Sequence, residues 1–119
     1  MKMTQFAMNL TSEDPERLNS FYKDVIGLDR VPDMGDHAYA MGSAVLFLDG
    51  HSDTRGPAKE PQRYLLDWFV DDIEAHQARL EAAGVKFIRK QGKEEWGGII
   101  STFLDPDGNY IQLIEYKPQ

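Results

Sequence analysis

Two halves of this sequence repeat the same order of apolar runs at an offset of about 58 residues. The offset pairs the run 6–10 with the run 64–68, and it pairs Asp14 with Asp72. In both halves a helical pattern follows the aspartate, and short apolar runs separated by turn residues follow the helix. The repeat predicts two copies of one β-α-β-β-β module, which places the chain in the α+β class.

A helix is the clearest element of the first half. Asp14 and Pro15 suit an N-cap and a first helical position, and Gly27 suits a helix end. The apolar residues between them recur at helical spacing, which predicts a helix over residues 15–26. Strands are predicted over residues 6–10, 28–31, 37–41 and 44–48.

The second half follows an aperiodic connection over residues 51–63. Asp72 is the predicted N-cap of a helix that ends at Gly84. This helix is expected to bury the side formed by Ile73, His76, Leu80 and Ala83. Strands are predicted over residues 64–70, 85–89, 98–104 and 110–116, with a polar loop over 91–98 and a turn over 105–109.

The predicted modules together make one domain over residues 1–119, with module 1 at about 4–50 and module 2 at about 64–117. One helix per module covers only one face of its sheet. The uncovered faces should therefore curl into a cup, and a cup in a small protein is a common place for a ligand. The alternative is that the uncovered faces pack into a dimer interface.

The charge and hydropathy of the chain exclude several classes of partner. Its 119 residues include 13 Lys and Arg against 20 Asp and Glu, which gives a formal net charge of −7. The sequence has no basic stripe for nucleic-acid phosphates, no apolar run near the ~20 residues that span a bilayer, and no signal-peptide pattern. We expect a soluble, cytoplasmic protein without a nucleic-acid or membrane partner. The acidic excess serves solubility, or it attracts a cationic ligand.

Several kinds of catalytic site are also excluded by the sequence. The chain has no cysteine, so disulfides, thiolate nucleophiles and Cys-ligated metals are ruled out. It contains no HExxH pattern, phosphate-binding loop, dinucleotide-binding glycine motif or serine elbow. The three histidines are His37, His51 and His76, and we expect His76 to be a hydrogen-bonded or half-exposed packing residue on the apolar face of its helix.

Four motifs carry a resemblance to a known family. They are Asp14-Pro15-Glu16-Arg17 with Phe21-Tyr22 and Ile26-Gly27-Leu28, Phe69-Val70-Asp71-Asp72-Ile73, Ala83-Gly84-Val85, and Asp105-Pro106-Asp107-Gly108-Asn109 through Gln112-Leu113. In this order and spacing the chain resembles the glyoxalase/bleomycin resistance/dioxygenase family of the vicinal oxygen chelate superfamily. The resemblance implies two modules in a partly closed, eight-stranded mixed sheet, commonly a homodimer, sometimes with modules exchanged between chains.

The resemblance also implies where a divalent metal would be held. The family's positions for metal-binding His fall on Ala7 and Leu65, and those for Glu fall on Gln112 and near Leu46. Only Gln112 carries an oxygen, and a neutral amide alone is a poor ligand for a dication. We therefore predict no metal and no other cofactor. The alternative is one divalent metal, such as Zn, Mn, Ni or Fe, held by the atypical ligands His37, His51, Asp67 and Gln112.

Strand alternation selects the residues that face the cup. Asn9 and Asp67 are predicted to be related polar groups, and Phe69 shares the face of Asp67. Gln112 and Tyr116 share a face on the last strand, and Trp96 lies in a polar hairpin loop at the mouth of the cup. The predicted ligand-binding residues are Asn9, Asp67, Phe69, Trp96, Gln112 and Tyr116.

Asp67 is the strongest candidate among these residues, because a carboxylate with apolar sequence neighbours is costly to bury without a partner. It would accept hydrogen bonds from a ligand's amine, or it would pair with an Arg, Lys or Tyr within the fold. It is also the candidate catalytic acid or base, although one carboxylate identifies no reaction.

Two functions follow from these patterns. One is a metal-free protein that captures a small molecule in its cup, as bleomycin-resistance members of the family sequester drugs. The other is an enzyme, either a metal-dependent lyase, isomerase or dioxygenase with atypical ligands, or an acid-base catalyst built on Asp67. A dimer without a ligand is a third alternative.

Overall fold

The structure is a computed structural model, and it describes residues 1–117. The chain forms two compact units, Met1–Gly56 and Pro57–Gln119. In the described part of the chain no helix is long and apolar enough to cross a membrane.

The first unit contains a three-stranded sheet and one helix. Its elements are β1 (Ala7–Ser12), α1 (Pro15–Ser20), β2 (Ala38–Met41) and β3 (Ala44–Gly50). The strand order is β1-β3-β2, in which β1 is parallel to β3 and β2 is antiparallel to it. Short 3-10 turns over Pro32–Met34 and, in the second unit, Pro61–Arg63 lie in the connections.

The helix of the first unit begins and ends at the predicted residues. The Asp14 side chain accepts a hydrogen bond from the Arg17 backbone N–H at 3.2 Å. After Ser20 the helix continues as a π-helical segment over Phe21–Ile26. There the Gly27 N–H donates to the Tyr22 carbonyl, five residues back, at 3.1 Å, and Gly27 takes a φ of 85°. The helical prediction for 15–26 is confirmed, with its second half wound more loosely.

A buried polar pair lies between this helix and the sheet. The Tyr39 hydroxyl donates to Asn19 Oδ1 at 2.7 Å. Asn19 Nδ2 donates to the carbonyls of Pro15 and Leu48 at 2.9 and 3.0 Å. The amide thereby joins α1 to both β2 and β3. Around it the apolar core of this unit is formed by Leu18, Tyr22, Ile26, Ala38, Leu46 and Leu48.

The predicted strand over residues 28–31 is reduced to a single bridge between Arg30 and Tyr39. Two backbone hydrogen bonds, Val31 to Ala38 and Ala40 to Asp29, flank the bridge. Pro32 follows at once, and because it lacks an N–H it cannot extend the ladder. The two sheets therefore contain seven strands in the described residues, one fewer than the eight expected.

The second unit contains a four-stranded sheet and a longer helix. Its elements are β4 (Leu66–Phe69), α2 (Ile73–Ala82), β5 (Phe87–Lys93), β6 (Ile99–Leu104) and β7 (Tyr110–Glu115). The strand order is β4-β7-β6-β5. β4 is parallel to β7, and the other neighbours are antiparallel. The unit thus repeats the parallel first-to-last pairing of the first unit.

The buried side of helix α2 agrees with the prediction at Ile73 and Leu80 but not at His76 and Ala83. Its buried residues are Ile73, Gln77 and Leu80, and His76 is exposed. Gln77 can take the inner position because both ends of its amide are hydrogen-bonded: Oε1 accepts from the Gln91 N–H at 3.0 Å, and Nε2 donates to Glu81 at 2.9 Å. The packing role expected for His76 was therefore wrong.

Strand β5 also differs from its prediction, since it runs over Phe87–Lys93 rather than 85–89. Its register against β6 shifts between Phe87 and Arg89 and again between Arg89 and Gly92. These irregularities let the polar residues after Arg89 pair with β6, so the hairpin loop is shorter than the predicted 91–98. The predicted turn over 105–109 is present, and Asp105 Oδ1 accepts the N–H groups of Asp107 and Asn109.

Candidate functional site

The candidate site lies on the face of the second sheet opposite α2, which we call the site face. Leu66, Trp68 and Phe103 belong to the α2 side, where Trp68 packs edge-on against Phe103 with ring centroids 6.0 Å apart. Because side chains alternate along a strand, Asp67 and Phe69 belong to the site face. Both are exposed.

A polar row crosses the site face from one edge of the sheet to the other. Asp67 on β4 is in register with Gln112 on β7. Gln112 is in register with Thr102 on β6, which is in register with Arg89 on β5. Neighbouring strands lie about 4.8 Å apart, so the four residues form a continuous line of hydrogen-bonding groups. The row brings two predicted site residues, Asp67 and Gln112, side by side.

Apolar residues flank the polar row. Phe69, Ile114 and Ile100 occupy the next row in register, and Leu65 precedes Asp67 on the other side. Phe69 is 71% exposed, which is unusual for so large an apolar side chain. Thr102, Ile100 and Ile114 are buried, so a ligand on this face would meet Asp67, Gln112 and the exposed ring of Phe69.

The Asp67 carboxylate has neither a hydrogen bond nor an ion pair with any residue in 1–117. The internal partner considered as an alternative is thus missing from the described residues. Partial burial raises the pKa of the Asp67 carboxyl above its ordinary value, since desolvation disfavours the charged form. The carboxylate is therefore available to a cation.

Arg89 closes the other end of the row, and sequence reasoning did not identify it. Its Nη2 donates to Glu94 Oε1 at 2.6 Å. The guanidinium reaches Glu94 across Gly92, where a Cβ would lie 3.6 Å from Nη2. The irregular register of β5 sets this arrangement. The only signal for it in the sequence was a basic residue between Gly84 and Gly92.

Trp96 and Tyr116 form an aromatic pair at the hairpin between β5 and β6. Their ring centroids are 5.5 Å apart with an angle of 57° between the planes. Trp96 folds back so closely over Gly98 that a Cβ there would collide with the indole ring. The exposed fractions are 52% for Trp96 and 44% for Tyr116, so both rings keep accessible surface.

Asn9, the predicted site residue of the first unit, lies on the face of its sheet opposite α1. Its Nδ2 donates to Asp49 Oδ2 at 2.9 Å. Asp49 Oδ1 in turn lies 3.8 Å from His37 Nδ1. Sequence reasoning missed Asp49, although its alternation with the buried Leu48 indicated the same face.

The residues at the family's metal-binding positions do not fit a divalent metal. Ala7 and Leu65 have no donor atom, and Gln112 offers one neutral amide. Leu46 lies in the core of the first unit, and its neighbours on the opposite face, Val45 and Phe47, are also apolar. Among residues 1–117 no group of three or more His, Asp or Glu side chains is placed to hold a metal ion.

The two candidate histidine ligands have local partners. The imidazole Nδ1 of His51 accepts a hydrogen bond from the Asp53 N–H at 3.0 Å in an exposed loop. His37 faces Asp49 within the first unit. This pairing leaves His37 and Asp49 as two neighbouring groups rather than a ligand set.

A sequence model of the Glyoxalase/Bleomycin resistance protein/Dioxygenase superfamily matches residues 4–113. No curated protein is matched by the sequence.

Solved structures share the fold over nearly the whole chain. A member of the same superfamily from Sphaerobacter thermophilus is 21% identical, with a TM-score of 0.77, and the match covers 98% of this chain and 99% of that chain. A structure titled lactoylglutathione lyase from Agrobacterium tumefaciens is 20% identical, with a TM-score of 0.70 and coverages of 96% and 94%. A putative glyoxalase family protein from Bacillus anthracis is 21% identical, with a TM-score of 0.72 and coverages of 98% and 96%.

Proposed function

This chain belongs to the Glyoxalase/Bleomycin resistance protein/Dioxygenase superfamily, and we propose that it captures a small cationic molecule with an aromatic or apolar body, without a metal. The observation that carries the proposal is the Asp67 carboxylate, which has no ion pair or hydrogen bond among residues 1–117.

The carboxylate and its surroundings select the ligand's charged group. Asp67 accepts hydrogen bonds and carries a negative charge when ionised. Leu65 and Phe69 beside it offer apolar surface. The apolar body of a ligand would cover this surface while its ammonium group pairs with Asp67. Charge-assisted hydrogen bonds are about twice as strong as neutral ones. The neighbouring Gln112 amide supplies both a donor and an acceptor, which orient a ligand already held by Asp67.

The aromatic side chains support the proposal that the ligand has an aromatic or apolar body. Trp96 and Tyr116 expose parts of their rings at an angle to one another. The face of an aromatic ring attracts cations and stacks with planar groups. A ligand with a positively charged group and a flat body matches the residues available on this face better than an anion does.

The donor set supports capture without a metal. A catalytic metal in a lyase or dioxygenase needs several imidazole or carboxylate ligands. The family's positions here supply one amide, from Gln112. The enzyme alternative with His37, His51, Asp67 and Gln112 as ligands would require the two histidines to leave the local partners described above.

The first test combines elemental analysis with a matched set of probes. Protein purified without an affinity tag or chelator should contain less than one equivalent of Zn, Mn, Ni or Fe per chain. Benzylamine should then raise the melting temperature and bind measurably by calorimetry. Benzyl alcohol and benzoate, which share the ring but lack the positive charge, should bind at least tenfold more weakly.

Two variants make the binding test specific. Asp67→Asn removes the charge with little change in shape and should abolish the preference for benzylamine. Asp71→Asn neutralises another exposed carboxylate in the same segment and should leave the preference unchanged. One tight equivalent of metal, or equal binding of the three probes by the parent protein, would overturn the proposal.

A further inference from the structure

A cavity lies entirely within the first unit, on the side of the sheet that carries α1. Its volume is about 310 Å³, at the lower end of the range for small-molecule pockets, which is roughly 300–1,000 Å³. One wall is the α1 helix and the π-helical segment after it, and the other wall is the chain around Arg30 and Asp36. None of its lining residues belongs to the site face of the second unit.

The helical wall carries one free charge of each sign. Glu16 and Lys23 both line the cavity. Neither side chain has a hydrogen bond or ion pair with a residue that the structure describes. They are seven positions apart, which is about 10 Å along a helix axis. Long flexible side chains at this separation can hold the two ends of one molecule.

The opposite wall also carries one charge of each sign, and these two groups form an ion pair. Arg30 Nη2 lies 3.3 Å from Asp36 Oδ1. The two groups are both exposed, so their attraction is weak and either can turn to a ligand. The cavity therefore has no net excess of either sign among Glu16, Lys23, Arg30 and Asp36. A simple anion or a simple cation would meet a repelling group as well as an attracting one.

A rigid acceptor forms the floor of the cavity. The Tyr39 hydroxyl uses its proton on Asn19 Oδ1, and Asn19 uses both amide protons on backbone carbonyls. The hydroxyl oxygen of Tyr39 retains a lone pair that can accept a hydrogen bond. Because the hydroxyl's proton is already used, the floor favours a ligand group that donates hydrogen bonds, such as an ammonium.

The π-helical segment is an independent sign of a ligand site. Stretches of π-helix are rare and occur frequently at functional sites. Here the segment Phe21–Ile26 carries Lys23. Its wider winding displaces the residues after Ser20 relative to an α-helix, and so changes the position of Lys23 in the wall.

We propose that this cavity binds a small zwitterion whose ammonium and carboxylate groups are several bonds apart, such as an ω-amino acid. The carboxylate pairs with Lys23 and is approached by Arg30. The ammonium pairs with Glu16 and donates to the Tyr39 hydroxyl oxygen. The site goes beyond the proposed capture of a cation on the site face, and it shares no residue with it.

The test is an NMR titration of the full chain with 6-aminohexanoate, hexanoate and hexylamine. The three probes have the same carbon skeleton and differ in carrying both charges, the negative one or the positive one. We expect 6-aminohexanoate to shift amide signals within residues 16–39 and to bind about tenfold more tightly than either singly charged probe. Equal binding of hexanoate or hexylamine, shifts confined to other residues, or no shift with any probe would overturn the proposal.

Charge-neutral variants separate the two ends of the ligand. Lys23→Gln should reduce affinity for 6-aminohexanoate about tenfold, and Glu16→Gln should do the same. Lys86→Gln and Glu74→Gln change exposed charges in the second unit and should have no effect. The dispersion of the amide spectrum reports whether each variant is folded. Retained affinity in folded Lys23→Gln and Glu16→Gln proteins would contradict the assignment.

Discussion

Glu115 on the last strand accepts a hydrogen bond from the backbone N–H of Ile73 at 3.1 Å. Ile73 is the first residue of α2, so a side chain from β7 caps the helix that covers its own sheet. Asp72 provides the local cap by accepting the Ala75 N–H at 3.1 Å. The helix start is thus held by two carboxylates, one near in sequence and one distant.

Replacing Glu115 by Ala should destabilise the protein by about 1 kcal/mol, because a helix N–H loses its partner. Urea denaturation of the purified variant measures the change. Glu95→Ala, at an exposed loop position, is the control and should change stability by less than about 0.5 kcal/mol. A loss no larger than that of the control would show that the bond contributes nothing to stability.

Replacing Tyr39 by Phe should cost about 1–3 kcal/mol, because the buried Asn19 Oδ1 loses the hydrogen bond that the Tyr39 hydroxyl donates to it. Tyr116→Phe removes a hydroxyl from an exposed ring and should be nearly neutral. Chemical denaturation of both variants gives the comparison. Equal stability of the two variants would mean that water or a shifted backbone satisfies Asn19.

Binding of benzylamine should weaken as the pH falls through the pKa of Asp67. Burial raises this pKa above 3.8, so the carboxylate takes up its proton at a higher pH than an ordinary aspartate. The ammonium of benzylamine stays charged over this range, and protonation of Asp67 therefore removes the attraction. Calorimetry at several pH values measures this loss of affinity, and binding by Asp67→Asn should be weak at every pH.

The same shift has a consequence for stability. A carboxyl whose folded-state pKa is raised binds its proton more tightly in the folded state. Its contribution to stability is therefore present at low pH and is lost as the pH rises from 3.8 through the raised folded pKa. Asp67→Asn should remove this decline in the ligand-free protein. An Asp67 carboxyl signal that titrates below 3.8 by NMR would contradict both expectations.

Replacing Gly98 by Ala should displace the Trp96 ring from Tyr116. The added Cβ would occupy space held by the indole, and the exposed ring can swing outward at little cost. We expect a shifted Trp96 indole N–H signal and unchanged stability within about 0.5 kcal/mol. Gly97 takes a φ of 98°, so it is not a suitable control, and Lys93→Gln serves instead.

Most of the architecture could be predicted from local patterns. Asp14 and Asp72 were identified as N-caps because a short acidic side chain before a helical repeat has a specific hydrogen-bonding role. The strand over 28–31 was overpredicted because the turn that begins at Pro32 ends its pairing with β2 after a single bridge. The hydropathy pattern of one segment does not show how far the neighbouring strand extends.

The site was less accessible to sequence reasoning, since it depends on register. Alternation placed Asp67 and Phe69 on one face, and the family motif placed Gln112. Arg89 was missed because the irregular pairing of β5 decides which strand residue it lies beside. Gln77 was missed as a buried residue because its partners, the Gln91 N–H and Glu81, belong to contacts that a hydropathy pattern does not show.

The parallel pairing of β4 with β7 also determines when the second sheet can be completed during synthesis. Asp67 lies on the first strand of the second unit, and its register partner Gln112 lies on the last. During synthesis, β5 and β6 can form their hairpin while β4 still lacks its neighbour, because local antiparallel pairs need little loop closure. The polar row is therefore complete only when the chain is nearly finished, and a truncation before β7 would remove Gln112 and leave β4, with Asp67, without its neighbouring strand.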